Sequence, residues 1–187
     1  PDEWGHFSRP SASRGNRILD NRISGFLEEL WDGGAIYTLG QQGTSPRDGE
    51  LIAGNVATGK RRFAGGNTFY TDGGSRYVRL ERNVSLGNPP GITDFGPCGL
   101  ADSLLLCGVH IPYGSDRGGC RPYGDLSYRE NYWQYPTPFF SVCPFPPHPV
   151  NVTDADNHLV STESQVPRSI LDAAGLQAPY RATAGTG

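Results

Sequence analysis

The sequence predicts an all-β chain whose short strands stack as a parallel β-helix, with one short helix near its end. Three observations predict it. Asparagine recurs at Asn21, Asn55, Asn83, Asn131 and Asn157, at spacings of 34, 28, 48 and 26 residues. Each sits late in a short strand-like segment: 17–24, 50–58, 77–86, 125–134 and 151–161. The chain also carries 26 glycines and 16 prolines in 187 residues, with 36% hydrophobic content, which favours many turns and short strands over a helical bundle. Finally, the apolar run Ala35-Ile36-Tyr37-Thr38-Leu39 is β-branched and aromatic, and Gly40 closes it.

Taken in order, residues 1–15 read as loop. The asparagine segments then predict one strand per repeat, with connections of variable length. Asparagine at a repeated bend can stack on its neighbour across the strand spacing of about 4.8 Å and bond to it. These residues are therefore expected to be bend-formers and ladder members. Asn83-Val84-Ser85 and Asn151-Val152-Thr153 match the glycosylation acceptor pattern, but Asn83 falls in the ladder. The 48-residue interval holds the one large insertion, residues 87–123. Residues 135–149 form a second, proline-rich loop whose prolines impose extended backbone. Pro167 through Leu176 reads as a short helix, with Pro167 in its first turn and Gly175 at its stop. Its apolar face, Ile170, Leu171 and Ala174, is expected to cap the open end of the solenoid.

A length of 187 residues suits one domain, 1–187. Net charge −3 disfavours nucleic acid and anionic membranes as partners. No apolar run reaches membrane length. No glycine-rich phosphate loop precedes a helix and no serine nucleophile elbow is present, and nucleotide-using enzymes are disfavoured. The chain contains no methionine, as expected of a processed or mature piece. Cys98, Cys107, Cys120 and Cys143 suit two disulfides in a secreted protein, with three pairings open. They lack the Cys-x-x-Cys spacing of a zinc knuckle.

The chemical lead is a repeated tripeptide. Asp32-Gly33-Gly34 leads into one strand and Asp72-Gly73-Gly74 into another, 40 residues later. If one or two repeats separate them, the two carboxyls face one groove. Glycoside hydrolysis uses such a pair about 5–9.5 Å apart, one acid protonating the leaving oxygen and the other attacking the sugar or activating water. Asp-Gly is also a common turn dipeptide. Trp31, beside Asp32, is the best sugar-stacking candidate, with Trp4 and His6 behind it. Tyr37 alternates with Ile36 and so faces outward if Ile36 faces the core. Arg76 and Arg79 could meet an anionic substrate group. Glu28 and Glu29 are alternative second acids.

Asn16-Arg17-Ile18-Leu19-Asp20-Asn21-Arg22-Ile23, followed by the Leu30–Gly40 stretch, resembles bacterial right-handed parallel β-helix proteins. More narrowly it is similar to the glycoside-hydrolase-like group that includes the family 141 enzymes. Tyr70-Thr71-Asp72-Gly73-Gly74-Ser75 resembles their second acidic turn, and residues 170–181 resemble their ending. The resemblance covers roughly residues 1–86 and 150–181. It implies an extracellular carbohydrate-active enzyme with Asp32 and Asp72 as its acid pair, no cofactor, and a carbohydrate polymer or oligosaccharide as partner. It also implies the C-terminal part of a longer β-helix, whose first repeat stacks on an N-terminal portion or on another chain. Two other readings stand beside the hydrolase. A polysaccharide lyase would hold Ca²⁺ on Asp32 and Asp72 and use Arg79 or Lys60 as base. A non-catalytic glycan-binding or structural solenoid would need none of these.

Overall fold

The computed structural model describes residues 12–30, 33–61, 67–71, 75–88, 95–96, 124–134 and 150–177. Among them the chain is β-structure with one short α-helix. Its strands are β1 (Arg17–Leu19), β2 (Arg22–Ser24), β3 (Gly34–Thr38), β4 (Glu50–Ala53), β5 (Val56–Thr58), β6 (Asn67–Thr71) and β7 (Arg76–Glu81). They continue with β8 (Val84–Leu86), β9 (Phe95–Gly96), β10 (Gly124–Arg129), β11 (Tyr132–Trp133), β12 (Val150–Ala155) and β13 (His158–Leu159). A 3-10 turn (Glu163–Gln165) and the helix α1 (Arg168–Ala173) follow.

The strands fall into three sheets, all parallel. The first has the order β1-β4-β7-β10-β12, the second β2-β5-β8-β11-β13 in sequence order, and the third β3-β6-β9. The chain therefore visits the sheets in rotation, and each return adds one neighbouring strand. We call each such circuit a repeat. One apolar cluster joins all three sheets: Ile52, Val78, Leu80, Leu126 and Tyr128 from the first, Ala57 and Trp133 from the second, Ile36 and Phe69 from the third. Phe69, Leu80 and Tyr128 are fully buried, and a large side chain so placed contributes about 1.5–3 kcal/mol.

Each predicted asparagine segment is two strands rather than one. The asparagine stands in the corner between them, where the chain passes from the first sheet to the second. The residue before it bends the backbone into the left-handed region: Asp20 (φ 52°), Gly54 (φ 68°), Arg82 (φ 54°), Glu130 (φ 54°) and Asp156 (φ 56°). Gly54 has no room for a side chain, since a Cβ there would lie 2.1 Å from Asp20 Oδ1.

The five asparagines bond as a ladder. Nδ2 of Asn21, Asn55, Asn83 and Asn131 donates to Oδ1 of the next asparagine at 2.8, 2.9, 3.1 and 2.9 Å. Their backbone N–H groups donate to the same oxygens at 3.0, 3.1, 2.9 and 2.9 Å. Each Nδ2 from Asn55 onward also reaches a carbonyl of the previous repeat: Ile18, Ile52, Leu80 and Tyr128, at 2.9 to 3.0 Å. Asn55, Asn83 and Asn131 are fully buried, so the ladder satisfies polar groups that would otherwise be stranded.

The predicted helix is present, but it lies along the second sheet instead of over an end. Val160, Val166, Ile170, Leu171 and Ala174 pack on Val56, Val84 and Leu86, which point away from the shared core. The segment ends back at the first repeat, where Gly175 N donates to Asp20 O at 2.7 Å and Arg22 Nη2 donates to Leu171 O at 2.8 Å. The physical reason is burial: valines on the outer face of the second sheet need a cover.

Candidate functional site: the outer face of the third sheet

The third sheet is the side of the molecule that carries the predicted chemistry. Its register pairs Ile36 with Phe69, Tyr37 with Tyr70 and Thr38 with Thr71. Ile36 is buried at 7% exposure, while Tyr37 is 42% exposed, as alternation along a strand requires. Tyr37 and Tyr70 meet edge to face, ring centroids 5.3 Å apart at 86°. The pair is thus an aromatic step on neighbouring strands, with Tyr37 exposed and Tyr70 half-buried.

Buried hydroxyls fix this sheet to the others. Thr71 Oγ1 and Tyr128 OH share a hydrogen bond of 2.8 Å, tying β6 to β10. Ser75 Oγ donates to Thr38 O at 3.1 Å. Ser85 Oγ donates to Thr68 Oγ1 at 3.1 Å, and Asn88 Nδ2 donates to Ser85 Oγ at 2.7 Å. Asn88 also accepts the Lys60 backbone N–H at 3.0 Å. Such satisfied networks hold the third sheet rigid against the core.

Asp32 and Asp72 lie outside the described residues, as do Trp31, Trp4, His6 and all four cysteines, along with most of residues 87–123. Their described neighbours are informative. Gly33 stands at the start of the third sheet, where its carbonyl accepts Asn67 N–H at 2.9 Å. Thr71 stands at its finish, opposite Thr38. Five residues of strand separate those two positions, roughly 16 Å. The two Asp-Gly-Gly copies are also not equivalent: 32–34 leads into a third-sheet strand, whereas 72–74 lies between β6 and the first-sheet strand β7. The dipeptide that does repeat in register is Tyr-Thr, at 37–38 and 70–71. Its spacing of 33 residues lies close to the 34 of the first ladder step, and that match was the signal for Tyr70.

The remaining candidates are engaged elsewhere. Arg76 Nε donates to Asp125 Oδ2 at 2.9 Å, and its guanidinium lies 5.0 Å above the Tyr77 ring. Asp125 Oδ1 also accepts Asn151 Nδ2 at 2.9 Å. Arg76 is therefore a structural ion-pair partner, with 17% of its side chain exposed. Arg79 pairs loosely with Glu81 at 3.6 Å, and Glu28 with Arg61 at 3.3 Å. Lys60 is buried at 3% exposure. His158 stacks on Tyr132, centroids 4.6 Å apart. Among the described residues no three His, Cys, Asp or Glu side chains converge as metal ligands.

Two carboxyls depart from their ordinary behaviour. Burial of Glu50 pushes its pKa up, only partly opposed by a hydrogen bond from Asn16. The hydroxyl of Thr44 is the largest influence holding Asp48 well below the carboxylate range, aided by Ser45 and both backbone N–H groups. Neither residue borders the Tyr37–Tyr70 step in the strand register, so neither is a candidate acid for it. A scan of family models, a search of curated proteins and a search of solved structures each returned no match to this chain.

Proposed function

We propose that the chain is a right-handed parallel β-helix that holds an extended carbohydrate along its third side. The handedness follows from the strong right-handed preference of parallel crossovers within a sheet. The observation that carries the function is the Tyr37–Tyr70 step on adjacent strands, with Tyr37 exposed beside half-buried Tyr70. Aromatic faces and edges suit the apolar faces of sugar rings, and a rigid step loses little freedom on binding. The strands stack about 4.8 Å apart, so an elongated ligand can lie along the stack and meet several repeats.

Hydrolysis of that carbohydrate is the activity that the family 141 resemblance implies. An acid pair acts across one glycosidic bond only when its carboxyls lie within about 9.5 Å.

The test is a screen of soluble plant and microbial polysaccharides by affinity electrophoresis, with reducing ends measured in parallel. Tyr37→Ala is expected to weaken retention about tenfold while leaving the fold intact, in line with the loss of one aromatic contact. Retention unchanged by Tyr37→Ala would remove the third side from the site. Release of reducing ends that vanishes in Asp32→Asn or Asp72→Asn would establish the hydrolase; retention without release would establish a binding module.

A further inference from the structure

The two ends of the asparagine ladder are not alike. At the last repeat the ladder closes on itself. Asn157 has no following asparagine, and its Nδ2 donates to Asp154 Oδ1 of its own repeat. Asp154 occupies the column filled by Ile18, Ile52, Leu80 and Tyr128 in the four earlier repeats. A carboxylate at an inward position is a device by which sheets refuse a further strand.

The first repeat has no such device. Among the described residues nothing donates to Asn21 Oδ1, although the equivalent oxygens of the other four asparagines each accept a backbone N–H and an Nδ2. Asn21 Nδ2 bonds its own Leu19 O at 3.1 Å and Asn55 Oδ1, but no carbonyl of an earlier repeat. The first repeat is also where apolar surface collects. Leu19, Leu30, Tyr37 and Leu39 are 37%, 69%, 42% and 39% exposed, whereas the last repeat exposes Leu159.

We infer that the β1–β2 edge is a docking edge for one further parallel β-repeat. The partner is a polypeptide repeat with an apolar residue three positions before an asparagine and another two positions after it. The asparagine would donate its N–H and Nδ2 to Asn21 Oδ1. Its carbonyl three residues earlier would accept Asn21 Nδ2. The two apolar residues would cover Ile18 and Ile23, which are half-buried at this edge. Residues 1–11 contain no asparagine and cannot supply this repeat. A second copy stacked head to tail would press Asp154 onto Ile18, burying a carboxylate against an apolar side chain, which opposes that arrangement. The inference does not depend on what the third side binds.

The test inserts a duplicate of residues 50–77 between Gly15 and Asn16 of the full chain. This sets the copied Asn55 28 residues ahead of Asn21, the natural spacing between Asn55 and Asn83. The expected result is one cooperative transition, a melting temperature about 4 °C or more higher, and Asn21 side-chain amide exchange slowed at least about tenfold. Changing the copied asparagine to alanine should remove the protection. A folded insertion with Asn21 exchange unchanged, or an alanine copy that protects equally, overturns the proposal.

Two measurements apply even if the insertion does not fold. A synthetic peptide of residues 50–61, at about 1 mM, should shift backbone amides of residues 16–24 in the unmodified chain; shifts at residues 150–159, or none, overturn it. Asp154→Val should create head-to-tail association that the unmodified chain lacks. Association of the unmodified chain through its last repeat overturns the assignment of Asp154 as a stop.

Discussion

At the corner between the first and second sheets, five asparagines repeat one arrangement with bond lengths that vary by 0.3 Å along the ladder. Along the third sheet there are only three described strands, and the groups that anchor them differ from strand to strand: Thr38 with Ser75, Thr71 with Tyr128, Thr68 with Ser85. The difference separates two tasks. The corner has to satisfy buried backbone and amide groups identically at every circuit, so its chemistry is fixed. The third side only has to close the core on its inner face, so its outer face is free to carry Tyr37 and Tyr70.

This comparison can be broken at the corner first. Asn83→Ala removes two donated and two accepted bonds in a site with no access to water. It strips the Asn55 N–H of its acceptor and the Ile52 carbonyl of one donor. We expect a loss of about 3–4 kcal/mol, read as a lower urea midpoint with an unchanged slope. A loss below about 1 kcal/mol would mean the ladder is incidental to the fold.

Gly54→Ala comes next. An alanine at φ 68° is strained by about 1–2 kcal/mol, and its Cβ must also displace the Asp20 carboxylate. The matching position one repeat on is Arg82, at φ 54°, where Arg82→Gly should shift stability the opposite way, by up to about 1 kcal/mol. If both substitutions destabilise equally, the left-handed corner is not what distinguishes the two sites.

Glu50 sharpens the comparison through pH. It is an inward carboxyl of the first sheet, 4% exposed, and its pKa is raised in the folded state. A group so shifted binds its proton more tightly when folded. Its contribution is therefore complete below its unfolded pKa near 4.5 and is lost as pH rises through the folded value. Glu50→Gln should raise the melting temperature at pH 8 by a few degrees and change it little at pH 4. Equal effects at both values would locate the effect in packing instead of charge. The smallest expected effect is Tyr37→Ala on stability, about 1 kcal/mol or less, which contrasts with its larger expected effect on glycan retention.

Much of this architecture was legible in the sequence. The asparagine spacing identified every ladder member, and the ends of the helix fell within three residues of Pro167–Leu176. What stayed hidden has physical causes. The bend at each asparagine was legible, whereas the division of each segment into two strands was not: Asp20, Gly54 and Asp156 are turn-formers, but Arg82 and Glu130 announce no turn. Strands β2, β5 and β8 are three residues long, too short for a period of two to register. The resting place of α1 depends on contacts more than 80 residues away in sequence, although Val84-Ser85-Leu86, buried at all three positions, hinted that the second sheet is covered on both faces. The identical tripeptides 32–34 and 72–74 fall at positions that are not equivalent in the chain order, the first before β3 and the second after β6. Tyr-Thr, at a spacing of 33, kept step with the asparagines, and a spacing of 40 could not.

The strap from Val160 to Gly175 has a consequence for synthesis. It is synthesised long after Arg22 and Asp20, yet it clasps both of them. Until it arrives, the outward valines Val56 and Val84 stay wet, so the early circuits cannot lock as they emerge. Locking of the early circuits therefore waits until the strap has docked, and their outward valines are open to wrong partners until then.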